Sequence, residues 1–497
     1  MHRVYTSLEG PGTGLGRVAS LATEWYRVAV PPRRRYPPTA CPHPTMPFRL
    51  PACCVLLLIV GLLLPHPVPG QTAATPTILP MRERAEVIDR WLTHRLDAVL
   101  PDLMRREAID LWVVSAREYN EDPIIETLLP ATWMAARRRT MLVFYDQGPE
   151  EGVERLAISR YAVGEAFPAA WDPDTQPDQW ARLAEIIAER DPERIALNTS
   201  QTFGLADGMT ATELEQLKEA LPAPYPERIV SGERLAIGWL ETRTEEEMTV
   251  YRQINRLAHT IIAEGLSEAV IQPGITTTAD VQWWYRERIR DLNLTAWFHP
   301  SVSVQRAAAL SDDGDYSAPS GETVIQPGDL VHMDLGITYL RLNTDTQRNA
   351  YVLRRGETEA PQGLRDGLHT ANRVQDLLTN EFETGRTGND ILQAALDAAA
   401  AEGIDATIYT HPIGYHGHGA GPAIGLWDQQ DGVPGWGDYP LYPNTAYAIE
   451  LNAAVTIPEW DDQQILMRTE EQAFFDGTDV TYHDGRQTEL YLIPRQP

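Results

Sequence analysis

Five residues in the second half of this chain are of types and in an order that could do chemistry: Asp334, Asp345, His411, Glu450 and Glu470. Four carboxylates and an imidazole offer the oxygen and nitrogen donors that borderline divalent cations accept. Together they can hold two such cations around one shared water. Cations about 3.5–4 Å apart make a nucleophile of that water near neutral pH, so the chemistry expected is hydrolysis. Asp334 closes the apolar stretch Leu330-Val331-His332-Met333, Gly336 follows it, and Asp345 comes eleven residues later in Asn343-Thr344-Asp345-Thr346-Gln347-Arg348. This spacing suits a β-hairpin whose two strands each carry one acid. Asp-Leu-Gly and Asn-Thr-Asp are also ordinary turn chemistry, so the pair alone leaves both readings open. His411, His416 and His418 fall among Gly414, Gly417, Gly419 and Gly421, where glycine lets backbone approach a ligand. Glu450 interrupts an apolar strand, Tyr447-Ala448-Ile449 before it and Leu451 after; Glu470 follows Leu466-Met467-Arg468-Thr469. A carboxylate buried alone is costly unless paired or metal-bound. For Glu470, an ion pair with Arg468 is one solution. Arg468, two residues away on the same strand face, is equally suited to orienting Glu470 from outside the ligand set.

Elements able to position these groups are legible from periodicity. From about Met81 helix and strand signals alternate: helical spacing over 85–103, short apolar runs at 110–114, 141–145, 156–159 and 195–197, and an amphipathic helix after Thr210. A boundary falls near 230–244. Thr244 and Glu247 form a capping box opening a helix with Tyr251, Ile254, Leu257, Ile261 and Ile262 on one face, and a second helix spans 276–289 with Trp283-Trp284-Tyr285 expected in the core or at a domain interface. After Asn293 the chain is strand-rich.

The chain has 497 residues, 43% hydrophobic and 23% charged, which suggests two domains behind a leader. Its net charge is −28, which excludes a nucleic-acid backbone as partner. Lys218 is the sole lysine, so nearly all positive charge is arginine. Arg49 followed by the apolar run 53–64 and by Pro65-His66-Pro67-Val68-Pro69-Gly70 has the form of a secretory signal peptide over 46–70. The run is shorter than the roughly 20 residues a membrane span needs. Residues 1–45 then precede the start at Met46 as a leader or start-site artefact. Cys41, Cys53 and Cys54 all lie in or before this signal, so an exported chain would be free of thiols. The expectation is an exported protein, periplasmic or extracellular, with no membrane attachment after signal cleavage.

The five residues in this order, with the seven-residue step from His411 to His418 and Gly414 between, resemble the pita-bread metallopeptidases. These are the Xaa-Pro aminopeptidases, prolidases and methionine aminopeptidases, with creatinase as a metal-free cousin. The resemblance covers 240–497; the segment 81–235 is more loosely similar to the amino-terminal domain of the creatinase and proline-peptidase branch. It implies an α/β (α+β) architecture, a creatinase-like α/β domain followed by a pita-bread catalytic domain of antiparallel sheet and flanking helices. It also implies two divalent metal ions, manganese first, with cobalt, iron or zinc as alternatives. Asp334 would chelate one ion, His411 and Glu450 the other, and Asp345 and Glu470 would bridge. Glu450 would also shuttle protons, His418 would stabilise a developing oxyanion, and Arg468 would hold the surrounding shell. The chain departs from the proline-specific pattern at Thr407, at Gly419 and in the run Ala309-Leu310-Ser311-Asp312-Asp313-Gly314, with His299 nearby but out of register. The implied activity is removal of an amino-terminal residue, with Xaa-Pro preference, as aminopeptidase or dipeptidase, on a peptide or other small substrate. Relatives assemble as dimers or tetramers, so a homo-oligomer is implied. The altered substrate positions motivate an alternative, a metal-dependent lyase or C–N hydrolase of a small osmolyte. A non-catalytic binding protein is the third reading, disfavoured because all five ligand positions are filled.

Overall fold

The computed structural model describes residues 77–308 and 322–495. The expected leader and signal at 1–45 and 46–70, the three cysteines and the 309–314 run lie outside these residues. All described residues belong to one compact unit, Ala73–Pro497.

Helix α1 (Met81–His94) passes through a π-helical turn, Arg95–Val99, into α2 (Leu100–Arg106), so the helix expected over 85–103 extends beyond both limits. Then follow β1 (Leu111–Arg117), α3 (Ile125–Leu128), β2 (Arg139–Asp146), β3 (Val153–Ile158), α4 (Gln179–Arg190), β4 (Ile195–Leu197), α5 (Ala211–Ala220), β5 (Ile229–Ser231) and α6 (Glu233–Glu241). The sheet runs β3-β2-β1-β4-β5, antiparallel on the β2 side of β1 and parallel on the β4 side. Leu111, Val113, Met141 and Val143 pack with Leu183 and Ile187 of α4, while Trp112, Val114, Leu142 and Phe144 pack with Leu100 and with Trp239 of α6. Burial on both faces is why β1 reads as an unbroken apolar run.

Helix α7 (Glu245–Gly265) starts at the capping box, with Thr244 and Glu247 each capping the other's backbone, and its five expected core residues are buried. Helix α8 (Thr278–Asp291) starts at a second box, Thr277 with Asp280. Its aromatic triplet divides, contrary to expectation: Tyr285 is fully buried, but Trp283 is 60% exposed and lies against His299. Three consecutive residues on a helix turn through about 200° and cannot share one face.

The remaining strands are β6 (Thr295–Ala296), β7 (Ser301–Gln305), β8 (Leu330–Leu335), β9 (Ile337–Tyr339), β10 (Leu342–Asn343), β11 (Thr346–Val352), β12 (Asp405–Ile408), β13 (His411–Pro412), β14 (Thr445–Ile457), β15 (Gln463–Phe475), β16 (Val480–Tyr482) and β17 (Tyr491–Ile493). Between β11 and β12 lie α9 (Gln362–Thr379) and α10 (Gly388–Ala401), which the strand-rich reading of this half omits although Leu364, Leu368, Ala371 and Leu378 carry a helical period. The large sheet runs β12-β14-β15-β11-β8-β7, with β13 on β14, β16 on β15 and β17 on β11. Val331, Met333 and Leu335 of β8 pack with α7 and α8; Ile449, Leu451 and Ala453 of β14 pack with α9. Successive strand residues point to opposite faces, so Asp334 and Glu450 project away from those helices. Each buried aliphatic contributes about 1.5–3 kcal/mol, and a one-residue slip would expose the whole set while driving the acids into the core. The register is therefore held by the apolar face, and the acids on the other face inherit it.

Candidate metal centre

Four strands bring one polar row together. Asp334 on β8 faces Gln347 on β11, Gln347 faces Glu470 on β15, and Glu470 faces Glu450 on β14. Facing residues in antiparallel strands share a side of the sheet with Cβ atoms about 4.5–5.5 Å apart. Asp345 immediately precedes β11, and His411 opens β13 opposite Ala448. The expected pairing of the two aspartate strands is present, but a small hairpin, β9–β10, closes it and joins a separate three-stranded sheet with β6.

His411 Nε2 lies 3.8 Å from Asp345 Oδ2, 4.0 Å from Glu450 Oε2 and 3.7 Å from Glu470 Oε1. These are beyond hydrogen-bond length and leave room for an ion between the donors. His411 Nδ1 is 3.0 Å from the Pro412 carbonyl; Nδ1–H donation there leaves the Nε2 lone pair facing the acids. Three sets of donor atoms each fall within 4.8 Å: Asp334, Asp345 and Glu470; His411, Glu450 and Glu470; and Asp345, His411 and His418. Asp345, His411 and Glu470 each occur in two of the sets, the pattern of adjacent cation positions that share ligands. Asp334 Oδ1, Asp345 Oδ1, His411 Nε2 and both Glu470 oxygens are buried without a hydrogen-bond partner. Native proteins leave few such atoms, and a divalent cation is the partner this donor set fits.

The electrostatics agree. Burial raises all four carboxyls, to about 7 for Asp334; for Asp345, Glu450 and Glu470, repulsion between neighbouring acids adds to burial. Burial, with His418 beside it, lowers His411 to about 3. Without a cation the acids hold protons, which a bound ion displaces.

The other residues singled out from the sequence occupy distinct places. His418 is exposed, with its ring 4.8 Å from that of His411 and 5.3 Å from Trp297. Arg468 shares the face of Glu470 and sits opposite Asn452, but it forms no ion pair with Glu470 or Glu450; its charge only lowers the Glu450 carboxyl from a distance. The ion-pair alternative for Glu470 is thus not the one adopted. His416 joins none of the donor sets, and burial and Arg243 lower it to about 4. Thr407 pairs with Asn452 at the sheet edge. Gly419 has a local reason: a Cβ there would lie 2.8 Å from the Pro412 carbonyl.

Gln347 is the residue that type and spacing alone pass over. Its amide donates to Glu450 Oε1, and its oxygen lies 2.9 Å from His332 Nε2. It stands in the middle of the row, and only cross-strand register reveals that. Trp297 is the second omission. Its indole donates to the Thr344 carbonyl at 2.7 Å, and it presses so closely on Gly336 and Gly417 that a Cβ at either would collide with it. Trp297, Arg341, Tyr415, His416 and His418 line a cavity of about 460 Å³ completed by Glu126, Thr127 and Leu205 from the first half of the chain.

Residues 251–475 match the model of metallopeptidase family M24. Solved structures of the same fold include an X-Pro aminopeptidase from Thermotoga maritima (16% identity over 79% of this chain and 99% of that one, TM-score 0.55). An Xaa-Pro dipeptidase from Bacillus anthracis matches at 16% identity over 83% and 100%, TM-score 0.54. Dipeptidase PepE from Mycobacterium ulcerans matches at 18% over 84% and 100%, TM-score 0.53. No curated protein matches the chain. The chain carries a pita-bread domain of metallopeptidase family M24, and by that domain it is a metallopeptidase, a hydrolase.

Proposed function

We propose that this protein is an exported exopeptidase that uses two divalent cations to remove an amino-terminal residue, with a preference for Xaa-Pro peptides. The observation that carries the reading is the polar row itself: buried donors without partners, sharing ligands between adjacent sets, beside a peptide-sized cavity reached through His418. Asp334 would hold one cation, His411 and Glu450 the other, with Asp345 and Glu470 common to both; manganese is the proposed ion, with cobalt, iron or zinc as alternatives. When bound, the pair supplies Lewis acidity, acidifying a water and polarising a carbonyl. Glu450 accepts the proton of the attacking water and returns it to the leaving amine, general acid–base work worth about 10²–10⁴ in rate. Gln347 fixes one oxygen of Glu450 and leaves the other facing His411. His418, at the mouth of the cavity, donates to the developing oxyanion. Arg468 acts on Glu450 through its charge alone. The proline preference rests on the fold shared with proteins named X-Pro aminopeptidase and Xaa-Pro dipeptidase. Export rests on the signal-peptide pattern over 46–70; among the described residues no helix is long and apolar enough to cross a membrane.

The test uses residues 71–497, metal-stripped and then supplied with Mn or Co, against Xaa-Pro di- and tripeptides beside non-proline controls. Metal-dependent release of the first residue is expected, faster before proline. No release from any peptide, with two cations bound per chain, would overturn the peptidase reading and favour a lyase or C–N hydrolase.

A further inference from the structure

Far from the carboxylate row in sequence, the amino-terminal sheet carries a basic groove in an acidic protein. Arg117, Arg137, Arg138, Arg139 and Arg160 line one cavity of about 840 Å³. They come from the end of β1, the entry to β2 and the end of β3, so the sheet order β3-β2-β1 brings them together. Among the described residues only two carboxylates answer these five guanidiniums. Buried Glu213 takes Arg139 at 2.9 Å and Arg117 at 3.7 Å, and Glu118 meets the exposed Arg138 at 3.6 Å. Arg137 lies over the Trp133 ring at 4.4 Å, and among the described residues neither Arg137 nor Arg160 forms an ion pair. The buried Arg117 Nε is the atom that meets Glu213, and at 3.7 Å it makes no hydrogen bond there.

The walls are apolar and aromatic. Trp133 and Trp171 are half-buried, Tyr161 is 62% exposed, and the floor is held by Gln179, which donates to the carbonyls of Arg139 and Ile158. Guanidinium groups pair bidentately with carboxylates, and the aromatic walls offer area to whatever joins those carboxylates. A volume of this size holds a small ligand or a short peptide segment. The chain's net charge of −28 repels anions in general, so an anion captured here must be held by local pairing.

We propose that this groove is a binding site for an acidic peptide segment, its carboxylates paired with Arg137, Arg160 and Arg117 and its backbone lying on Trp133 and Tyr161. The site is separate from the metal centre and does not depend on the peptidase reading.

The test is fluorescence anisotropy with a fluorescein-labelled hexaglutamate, blocked at both ends so that no exopeptidase can shorten it, and the full-length protein at 0.15 M salt. Saturable binding is expected, unchanged in Glu450→Gln and weakened at least tenfold in the Arg137→Ala/Arg160→Ala double variant. Both arginines are exposed, so the variant retains its fold, checked by circular dichroism. A blocked hexalysine does not bind. Absence of saturable binding, or equal binding by the double variant, overturns the proposal. Full displacement by citrate or pyrophosphate at equal charge concentration also overturns it, because the groove would then be a site for simple oxyanions rather than for peptide.

Discussion

Two buried acid clusters in this molecule are built in opposite ways. Glu247 is wholly buried, and burial alone would raise its carboxyl, yet Arg243 and Arg95 outweigh that and hold it below its ordinary range. Arg95 pairs with it at 3.0 Å and also donates to the Thr242 carbonyl, while Tyr415 OH donates to Glu247 at 3.1 Å. One carboxylate thereby ties the π-turn of the first helix, the start of α7 and the histidine loop. Asp334, Asp345, Glu450 and Glu470 are likewise withdrawn from water but have no guanidinium in contact among the described residues, and every one of them is raised. A self-sufficient ion cluster is architecture; one left unbalanced by four acids is built to fit a cation from outside.

The largest test of this contrast exchanges charge for an amide at equal shape. Glu450→Gln lowers turnover by at least about 10²-fold with the far-ultraviolet spectrum unchanged and metal content measured alongside; turnover near wild type would remove Glu450 from proton transfer. Glu247→Ala, by contrast, leaves two arginines buried without their partner and costs about 3–5 kcal/mol in urea unfolding, whereas Glu450→Gln in metal-stripped protein costs little. Similar losses for the two would erase the distinction.

Next in size is the ligand choice within the loop. His411→Ala weakens cation affinity at least about tenfold more than His416→Ala, measured by calorimetry; equal losses would mean that His416 ligates.

The unbalanced cluster also sets a pH trend. Asp334 in the stripped fold holds its proton to about pH 7, far above an unfolded aspartate at about 3.9. Such a raised acid contributes stability at low pH that is lost as pH rises through its folded value. His411, lowered to about 3, works the other way but only below its unfolded value of about 6.5. From about pH 6.5 to 8, through the folded value of Asp334, the acids alone act: thermal stability of stripped protein falls, and added metal raises the melting temperature more at pH 8 than at pH 6.5. A metal increment independent of pH would contradict the raised carboxyls.

The smallest effect isolates burial without metal. Glu241, buried beside Tyr439, is raised by burial to about 8. Its contribution is full below the unfolded value of about 4.3 and is lost as pH rises to about 8, so Glu241→Gln is near neutral at pH 4 and more stable than wild type at pH 8.5, read from melting curves.

Much of this is legible in the chain. The capping box at Thr244 and Glu247, the core face of α7 and four of the five strands of the first sheet follow from local spacing, because caps and apolar periods act within a few residues; β5 falls where a domain boundary is expected instead. Trp283 is misplaced when hydrophobicity is read without helical phase, and a strand-rich reading passes over α9 and α10 although their period is present. The five site residues can be named from type and order, since an acid set inside an apolar strand needs a partner or a cation to stay there.

Proximity is not legible. Asp334, Gln347, Glu470 and Glu450 are neighbours only because apolar residues on the opposite face fix the register of four strands, and register is a property of paired strands rather than of any one. The role of Gln347, the separation of Arg468 from Glu470, and the second use of Glu247 as an anchor for the histidine loop all belong to that level. The sequence by itself determined which groups this protein could use, because side-chain chemistry is local. Tertiary structure alone decided which carboxylates are balanced by arginine and which are left without a balancing charge, because charge compensation depends on distances between segments far apart in the chain.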